Sequence, residues 1–577
     1  MTPRYPAKVW VWPELSADAA QRISAGAGAH PVVARVLAHR GVRTAAEAQA
    51  ILRPKLSELT DPFALPGMNA AADEILAARE RGDPVVVFGD YDVDGLTATA
   101  LLVEMFRGLG LDAHPFLPHR LEDGYGLQVE PLMRCLDRYH PGLVVTVDCG
   151  TSSSEAVRAA QASGVRMVVT DHHQPGAECS PAEALVNPRL GDPASTCFEL
   201  AGVGVAFKLA HAVVKRASAS GCPRALRCQS LLRDMLELVA LGTMADFVPL
   251  KGDNRVLAAH GFRRLAQPVR TGLKALREII KIPPGRIRTY DVGFLLAPRL
   301  NASGRLDSAE ASLALLMESD PDHARETAQN LDHANQKRQN IQKEAVEQAL
   351  DWIHANMDPE MDSAIVVADP RWHPGVIGIV ASRLVQLYHR PTFVIALDDD
   401  GGGRGSGRSV EGVSLVECLD ECRPLLRRHG GHAMAAGLDL DASRVDEFRE
   451  AFREACGRRL HMGLRRPRMA IDAEVSLAEM NLELAGAISR LEPFGVGHAE
   501  PLLAARGVRL ESPRRVGENH LRLICRQGPV ALPAIGFGMA QVPLPTGASD
   551  IAFYLDANEW NGKTETQLKL QAIRPSE

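Results

Sequence analysis

The sequence predicts an α/β protein: a parallel sheet in the first half, a second α/β domain reached through one long helix, and a small β-barrel towards the C-terminal end. Three observations carry this. Apolar runs at 84–95 (PVVVFGDYDVDG), 143–150 (LVVTVDCG) and 166–173 (RMVVTDHH) each end in acids or histidines. Stretches of helical character, LTATALLVEMFRGLG (96–110) and SSEAVRAAQASG (153–164), lie between them. The final 110 or so residues instead form short strands at regular intervals. Uninterrupted apolar strands are those covered on both faces, so strands alternating with helices make βαβ units in a parallel sheet.

Residues 1–70 read as short helices, closed by Pro62 and Pro66. The first α/β domain is expected over 71–310, and its stretch 231–250 (LLRDMLELVALGTMADFVPL) reads as a helix running into a loop. A long helix spans Pro321 to Met357, within a connecting segment 311–360. Ala324, Leu331, Ala334, Ile341, Ala345, Ala349 and Trp352 form its apolar stripe, and its other faces are polar, which suits a helix joining two domains. The second domain, 361–462, carries SAIVVAD, GVIGIVASRLVQLY, TFVIAL, GGGRGSGRS (401–409) and HGGHAMAAGL (429–438). In 463–577, HLRLIC, ALPAIGF, IAFYLDA and QLKLQAI predict a barrel of OB type.

Composition narrows the function. A chain of 577 residues suggests about three to four domains, and 46% hydrophobic with 24% charged residues excludes wholesale disorder. The net charge of −6 excludes an indiscriminate basic coat but allows a local basic groove. No apolar run approaches a membrane span, the N-terminal stretch lacks a signal-peptide core, and the ten cysteines include no CxxC pair. A cytoplasmic protein with reduced cysteines is expected.

The strand ends carry the chemistry. Asp90, Asp92 and Asp94 follow the first run, Asp148 the second, and Asp171, His172 and His173 the third. The carboxyl ends of strands in an open parallel sheet face one crevice, so these distant residues converge. Carboxylates packed together repel unless cations neutralise them, and oxygen ligands with imidazole favour Mn²⁺ or Mg²⁺, as two ions in one site, over structural zinc. Such ions bind phosphate oxygens and acidify water. Taken singly, the DxD is equally a helix N-cap and the DHH equally a surface turn. GGGRGSGRS reads either as a flexible backbone turning N–H groups towards an anion or as a plain hairpin. Tyr554 and Trp560 are candidates for base stacking in the barrel or, more simply, core residues.

DYDVDG, VTVDCG, TDHH and ALGTMADFVPL stand in the order of the four motifs of the DHH phosphoesterase superfamily, and the first half of the chain resembles it. PRLNASGRLD, HPGVIGIVASRL, GSGRS and GGHAMAAG resemble its DHHA1 partner domain. The full set is similar to the superfamily's exonucleases that degrade single-stranded DNA 5′→3′ to 5′-mononucleotides in repair and recombination. The resemblance implies metal ligation by Asp90, Asp92, Asp148 (bridging), His172 and Asp246, with His173 at the substrate phosphate and Asp148 and His173 as the catalytic pair. Asp94 is typical of the first motif, and Val86 stands where some relatives place a ligating His. Substrate contacts are implied for Arg120, Tyr125, Arg299, Asn301, Arg305, Ser406, Arg408 and His432. The implied partners are single-stranded DNA, a single-strand-binding protein, a RecQ-type helicase and mismatch-repair factors, for a monomeric enzyme. A phosphodiesterase of short oligonucleotides or cyclic dinucleotides, and a non-catalytic replication scaffold, are the alternatives within the superfamily.

Overall fold

The structure, a computed structural model, describes residues 8–576 apart from 15–16, 121, 125, 359–360, 461–465 and 561–562. The chain starts with a short strand, β1 (Val9–Val11), and three helices, Ala17–Ala27, Pro31–His39 and Ala45–Leu52. The first large sheet holds β2 (Val85–Phe88), β3 (Ala113–Phe116), β4 (Leu143–Thr146), β5 (Arg166–Thr170) and β6 (Ala184–Val186). All pairings are parallel, in the order β3-β2-β4-β5-β6. The uninterrupted apolar runs have a direct cause. Val85, Val87, Leu143 and Val145 enter one core, while Val86, Phe88 and Val144 enter a second core on the other face. Chain direction across the sheet reverses between β2 and β4, and in such sheets ligands bind outside the strand ends at that point.

The second sheet runs β10 (Arg428–Gly431), β11 (Ala435–Asp441), β9 (Gly402–Arg408), β8 (Thr392–Leu397), β7 (Ile365–Asp369), with only β7 and β8 parallel. Helix Pro321–Asn356 joins the two lobes; Asp320 caps it, accepting from the Asp322 and His323 amides. Ala324, Ala328 and Leu331 belong to the core of the first lobe, whereas Ala345, Ala349 and Ile353 belong to that of the second. Between them the expected stripe departs from its pattern. Asn335 and Arg338 are buried while Ala334 and Ile341 are only half-buried, because the helix there crosses the gap between lobes.

β12 (Arg468–Ala470) and β13 (Ala473–Glu474) lead into the barrel strands β14 (Leu503–Val516), β15 (His520–Gln527), β16 (Val530–Gly536), β17 (Ser549–Trp560) and β18 (Lys563–Pro575). Pairing of β14 with β17 closes the barrel. The first residues of the chain differ from the all-helical expectation. β1 pairs with β12, Val9 opposite Arg468, and the three N-terminal helices share a core with Leu484, Leu503, Val508 and Phe553 of the barrel region. A three-residue strand paired so far along the chain leaves no periodic signal. No helix among the described residues is long and apolar enough to cross a membrane.

Candidate metal centre and strand cleft

Each acid is held by a distinct local device. Asp92 caps helix Val93–Leu109, one carboxylate oxygen accepting from the Asp94 and Gly95 amides, so the N-cap role and a ligand role coexist on one side chain. Asp94 accepts from the Gly202 and Val203 amides at 2.7 and 2.9 Å, locking the start of helix Gly202–Ala219 onto the first motif. Asp148 sits at the end of β4 with φ of 62°, a left-handed conformation unfavourable for a non-glycine residue. Gly202 explains how it is accommodated: a Cβ there would lie 2.6 Å from the Asp148 carboxylate. Asp246 follows the helix Leu236–Ala245.

These residues meet. Asp90, Asp92 and Asp148 form one group with ligand atoms within 4.8 Å of one another; Asp148, His172 and His173 form a second; Asp94, His172 and Asp246 form a third. Asp148 and His172 are each shared by two groups. The His172 Nε2 lies 3.0 Å from the Asp148 Oδ1, 3.6 Å from the Asp246 Oδ2 and 3.9 Å from the Asp94 Oδ2. Three of these atoms, Asp148 Oδ1, His172 Nε2 and Asp246 Oδ2, are buried without a hydrogen-bond partner. Buried polar atoms left unpaired are costly, so three converging ones mark the place of a cation.

Electrostatics agree. Burial, then Asp92, pushes Asp90 and Asp94 up to about 7. Burial, then Asp94 and Asp92, pushes Asp246 up to about 9. Burial and the same neighbours hold Asp148 well above the carboxylate range. Burial, then His173, drives His172 down to about 3, leaving it neutral and fit to ligate. A donor set of carboxylates and imidazole suits Mn²⁺ or Mg²⁺.

Asp171 departs from the expectation of a metal-type group. Its carboxylate accepts from the amides of Thr151, His172 and His173 and pairs with the His173 Nδ1 at 2.7 Å. Burial raises this carboxyl, but the bond with His173, the charges of the two histidines and the Thr151 amide together outweigh it and hold the acid below its usual range. Burial lowers His173, yet Asp171, then Asp246 and Asp90, bring it up to about 9. Asp171 thus aims His173 and favours its protonated form. Asn187 buttresses the turn, donating to the Thr151 Oγ1 and the His173 carbonyl. It directly follows β6 and precedes Pro188, outside every motif read from the sequence.

Beside the metal centre lies a cavity of about 950 Å³ between the lobes. Tyr91, Arg120 and Arg305 line it from the first lobe, with Ser406, Arg408 and His429 from the second. Arg120 lies over the Tyr91 ring, 4.8 Å from its centroid. Burial, then Arg120 and Arg338, lowers Arg305 to about 9, and burial, then Arg120, lowers Arg408. Guanidinium groups brought together and desolvated attract an anion of phosphate type.

The glycine-rich stretch follows the plain-hairpin reading rather than that of a backbone turned towards an anion: it returns antiparallel along β8. Gly402–Arg408 is β9, an interior strand whose amides serve the ladders to β8 and β11. Its glycines are required by packing: a Cβ on Gly407 would lie 2.4 Å from the Phe393 ring, and one on Gly405 2.7 Å from Leu438. Anion recognition here belongs to the side chains of Ser406 and Arg408, which stand among the residues lining the cavity.

Other expected contacts are braces. Arg299 pairs with Asp332 of the long helix at 2.7 Å, and the Asn301 Oδ1 accepts from the Val93 amide. Neither lines the cavity, and nor does His432, which is exposed in the turn between β10 and β11. His429, from the same motif, takes that position, its Nε2 3.0 Å from Asp420. Tyr554 is half-buried against the cluster of Met469, Ile471 and Leu502. Tyr125 and the Trp560 side chain lie outside the described residues.

Family models match over three stretches: DHH family, N-terminal domain, at 84–243; DHHA1 domain at 362–458; and RecJ OB domain at 471–572. The single-stranded-DNA-specific exonuclease RecJ of Dickeya dadantii is 38% identical, covering 94% of this chain and 95% of its own. That of Escherichia coli is 37% identical, covering 94% and 96%. A crystal structure of RecJ from Thermus thermophilus in complex with Mn²⁺ superposes with a TM-score of 0.84 at 31% identity, covering 99% of this chain and 80% of the other. A second crystallised relative, exonuclease RecJ bound to manganese, shares 37% identity with a TM-score of 0.59 over 70% of this chain and 97% of its own. The acid–imidazole cluster at a sheet's switch point, the arginine-lined cleft and the closed barrel thus have one common explanation: the chain belongs to the RecJ family of single-stranded-DNA-specific exonucleases.

Proposed function

We propose that this protein is a divalent-metal-dependent exonuclease that hydrolyses single-stranded DNA 5′→3′ and releases 5′-mononucleotides. The observation that carries it is the convergence of three unpartnered buried atoms, on Asp148, His172 and Asp246, next to a cleft lined by Arg120, Arg305 and Arg408. Asp90, Asp92, Asp148, His172 and Asp246 would hold two Mn²⁺ or Mg²⁺ ions. When bound, the ions neutralise phosphate charge and acidify a water. Asp94 fixes the first motif against helix Gly202–Ala219. His173, held protonated by Asp171, donates to a non-bridging phosphate oxygen as charge develops there. Ser406, Arg408, Arg305 and Arg120 grip the 5′-terminal phosphate, while Asn301 ties helix Ala297–Leu306 to the first motif and Arg299 ties it to the long helix.

In this reading residues 71–310 and 361–462 are the two jaws, 311–360 joins them, 1–70 supports the barrel and 463–577 holds the trailing strand. The work suits repair and recombination in the cytoplasm, with a single-strand-binding protein, a RecQ-type helicase and mismatch-repair factors as partners. The test is purified protein with 5′-labelled or 3′-labelled single-stranded DNA, with Mn²⁺ or with chelator. The expected result is immediate release of the 5′ label as mononucleotide, only with metal, with duplex DNA spared. Persistence of long strands under Mn²⁺ would overturn it.

A further inference from the structure

A second cavity, of about 400 Å³, lies where the N-terminal helices, the first lobe and the segment leading to the barrel meet. It shares no residue with the cleft and none with the metal centre. Its size is at the small end of ligand pockets, about 300–1,000 Å³. The walls are mostly apolar: Leu37 and Val42 come from the core shared with the barrel, and Leu250 from that of the first lobe. The cavity is therefore a gap between two cores rather than a flaw in one.

Its polar groups are unevenly matched. Arg255, only 5% exposed, donates through Nη1 to the Pro493 carbonyl at 2.8 Å and through Nη2 to the Leu491 carbonyl at 2.7 Å, but its Nε is buried without a hydrogen-bond partner. Among the described residues no carboxylate pairs with it, and burial, then Arg263, lowers it to about 10. A buried guanidinium with neutral acceptors alone keeps an uncompensated charge. Lys251 is exposed at the N-terminus of helix Gly252–Ala266, and its stem runs past Gly497, where a Cβ would lie 3.2 Å from the Lys251 Cε. No ion pair holds Lys251 among the described residues.

The remaining charges around the cavity are already matched. Asp253 pairs with the buried Lys208 at 2.6 Å and accepts from the Thr196 hydroxyl at 2.9 Å. Arg40 pairs with Asp472 at 2.7 Å, and Glu58 faces Lys55 at 3.7 Å. His498 donates from Nε2 to the Leu491 carbonyl at 2.8 Å, and burial, then Arg255, lowers it to about 4, so it is neutral. The cavity thus combines apolar walls with two unmatched cations, one of them at the positive end of a helix dipole.

We propose that this cavity is a binding site for a small organic anion, a single phosphate or carboxylate on an apolar body, with the head at Lys251 and Arg255 and the body on Leu37, Val42 and Leu250. A mononucleotide and an organic acid share that chemistry. The bound anion touches the N-terminal helices, the first lobe and the segment before the barrel at once. It also rests on the stretch that runs on from Asp246, where the Leu250 amide donates to the Val496 carbonyl at 2.8 Å. Occupancy therefore fastens the barrel region to the fourth motif. The site stands independently of the exonuclease reading, because none of its residues belongs to the cleft.

The test is calorimetry on the full chain in chelator, carrying Arg408→Ala to weaken phosphate binding in the cleft, with dAMP, phenyl phosphate, phenylacetate and inorganic phosphate as probes. At least one of the three organic anions should bind saturably and raise the melting temperature, while inorganic phosphate at the same concentration should not. Binding by dAMP and phenyl phosphate alone identifies a phosphate head, and binding by phenylacetate alone a carboxylate. Lys251→Glu and Ala50→Trp alter exposed side chains at the cavity, so both should melt like the parent without ligand. Each should weaken binding about tenfold or more. Arg255→Met should lose binding as well; a lower melting temperature with binding intact would make Arg255 a brace for carbonyls alone and overturn the site. Should Arg255→Met fail to fold, the other two variants decide. Equal binding by Lys251→Glu, Ala50→Trp and the parent, inorganic phosphate binding as tightly as phenyl phosphate, or no binding of any probe would each overturn the proposal.

Discussion

Asp148 concentrates the logic of the site. It is buried, left-handed in backbone, and surrounded by Asp90, Asp92, Asp94 and Asp246. Its side chain opposes folding unless a cation or a proton is present. Asp148→Asn should therefore abolish hydrolysis while raising the melting temperature of the metal-free protein. Strand binding should persist, because the arginines of the cleft are untouched; a fluorescence-anisotropy titration beside thermal melts checks both. A pH dependence follows from the same acids. Asp90 and Asp94 at about 7 and Asp246 at about 9 lie above the ordinary carboxylate value of about 4. Between these limits the folded metal-free protein holds protons that the unfolded chain has lost, so its stability falls as pH rises. Saturating Mn²⁺ replaces those protons. The increase in melting temperature on adding Mn²⁺ should be larger at about pH 8 than at about pH 5.5, and calorimetry should show proton release on binding.

At the scale of elements, β9 separates two kinds of residue that alternate along one strand. Gly407→Ala should destabilise by about 1–3 kcal/mol, since a methyl there meets the Phe393 ring. Arg408→Ala should leave the melting temperature near wild type and raise KM instead, because the guanidinium lines the cleft. Denaturant melts and steady-state kinetics on both variants distinguish the roles. β9 also shows what the sequence could and could not reveal. A run of glycines signals close approach of backbone to something, but not whether that is an anion or a phenylalanine ten or more residues away. The acids at the ends of β2, β4 and β5 were legible because a parallel sheet forces strand ends together whatever the loops do. Asp171 resembled a ligand by composition, and only its three amide hydrogen bonds reveal the orienting role. Arg299 and Asn301 carry the right chemistry for substrate, but Asp332 and the Val93 amide, distant in sequence, claim them. The choice of His429 over His432 depends on the geometry of one hairpin.

On the scale of the whole molecule, the long helix is common to two cores, and the cleft lies beside its polar middle. Substituting Ala328 or Ala349 by a larger residue would overpack one core and shift one jaw against the other. Loss of strand hydrolysis should then exceed loss of stability, a comparison that activity and melts make directly. The barrel raises a different matter. Its core is completed by the three N-terminal helices, and β1 finds its partner only at β12, with Val9 opposite Arg468. On the ribosome, at about 5–20 residues per second, the first helices emerge roughly half a minute to a minute and a half before the surface they cover exists. Through that interval their apolar faces are unsheltered, while the two jaws can already be folding. These helices are thus made long before the segments that cover them, and in the nascent protein their apolar faces are an aggregation hazard that the finished enzyme no longer shows.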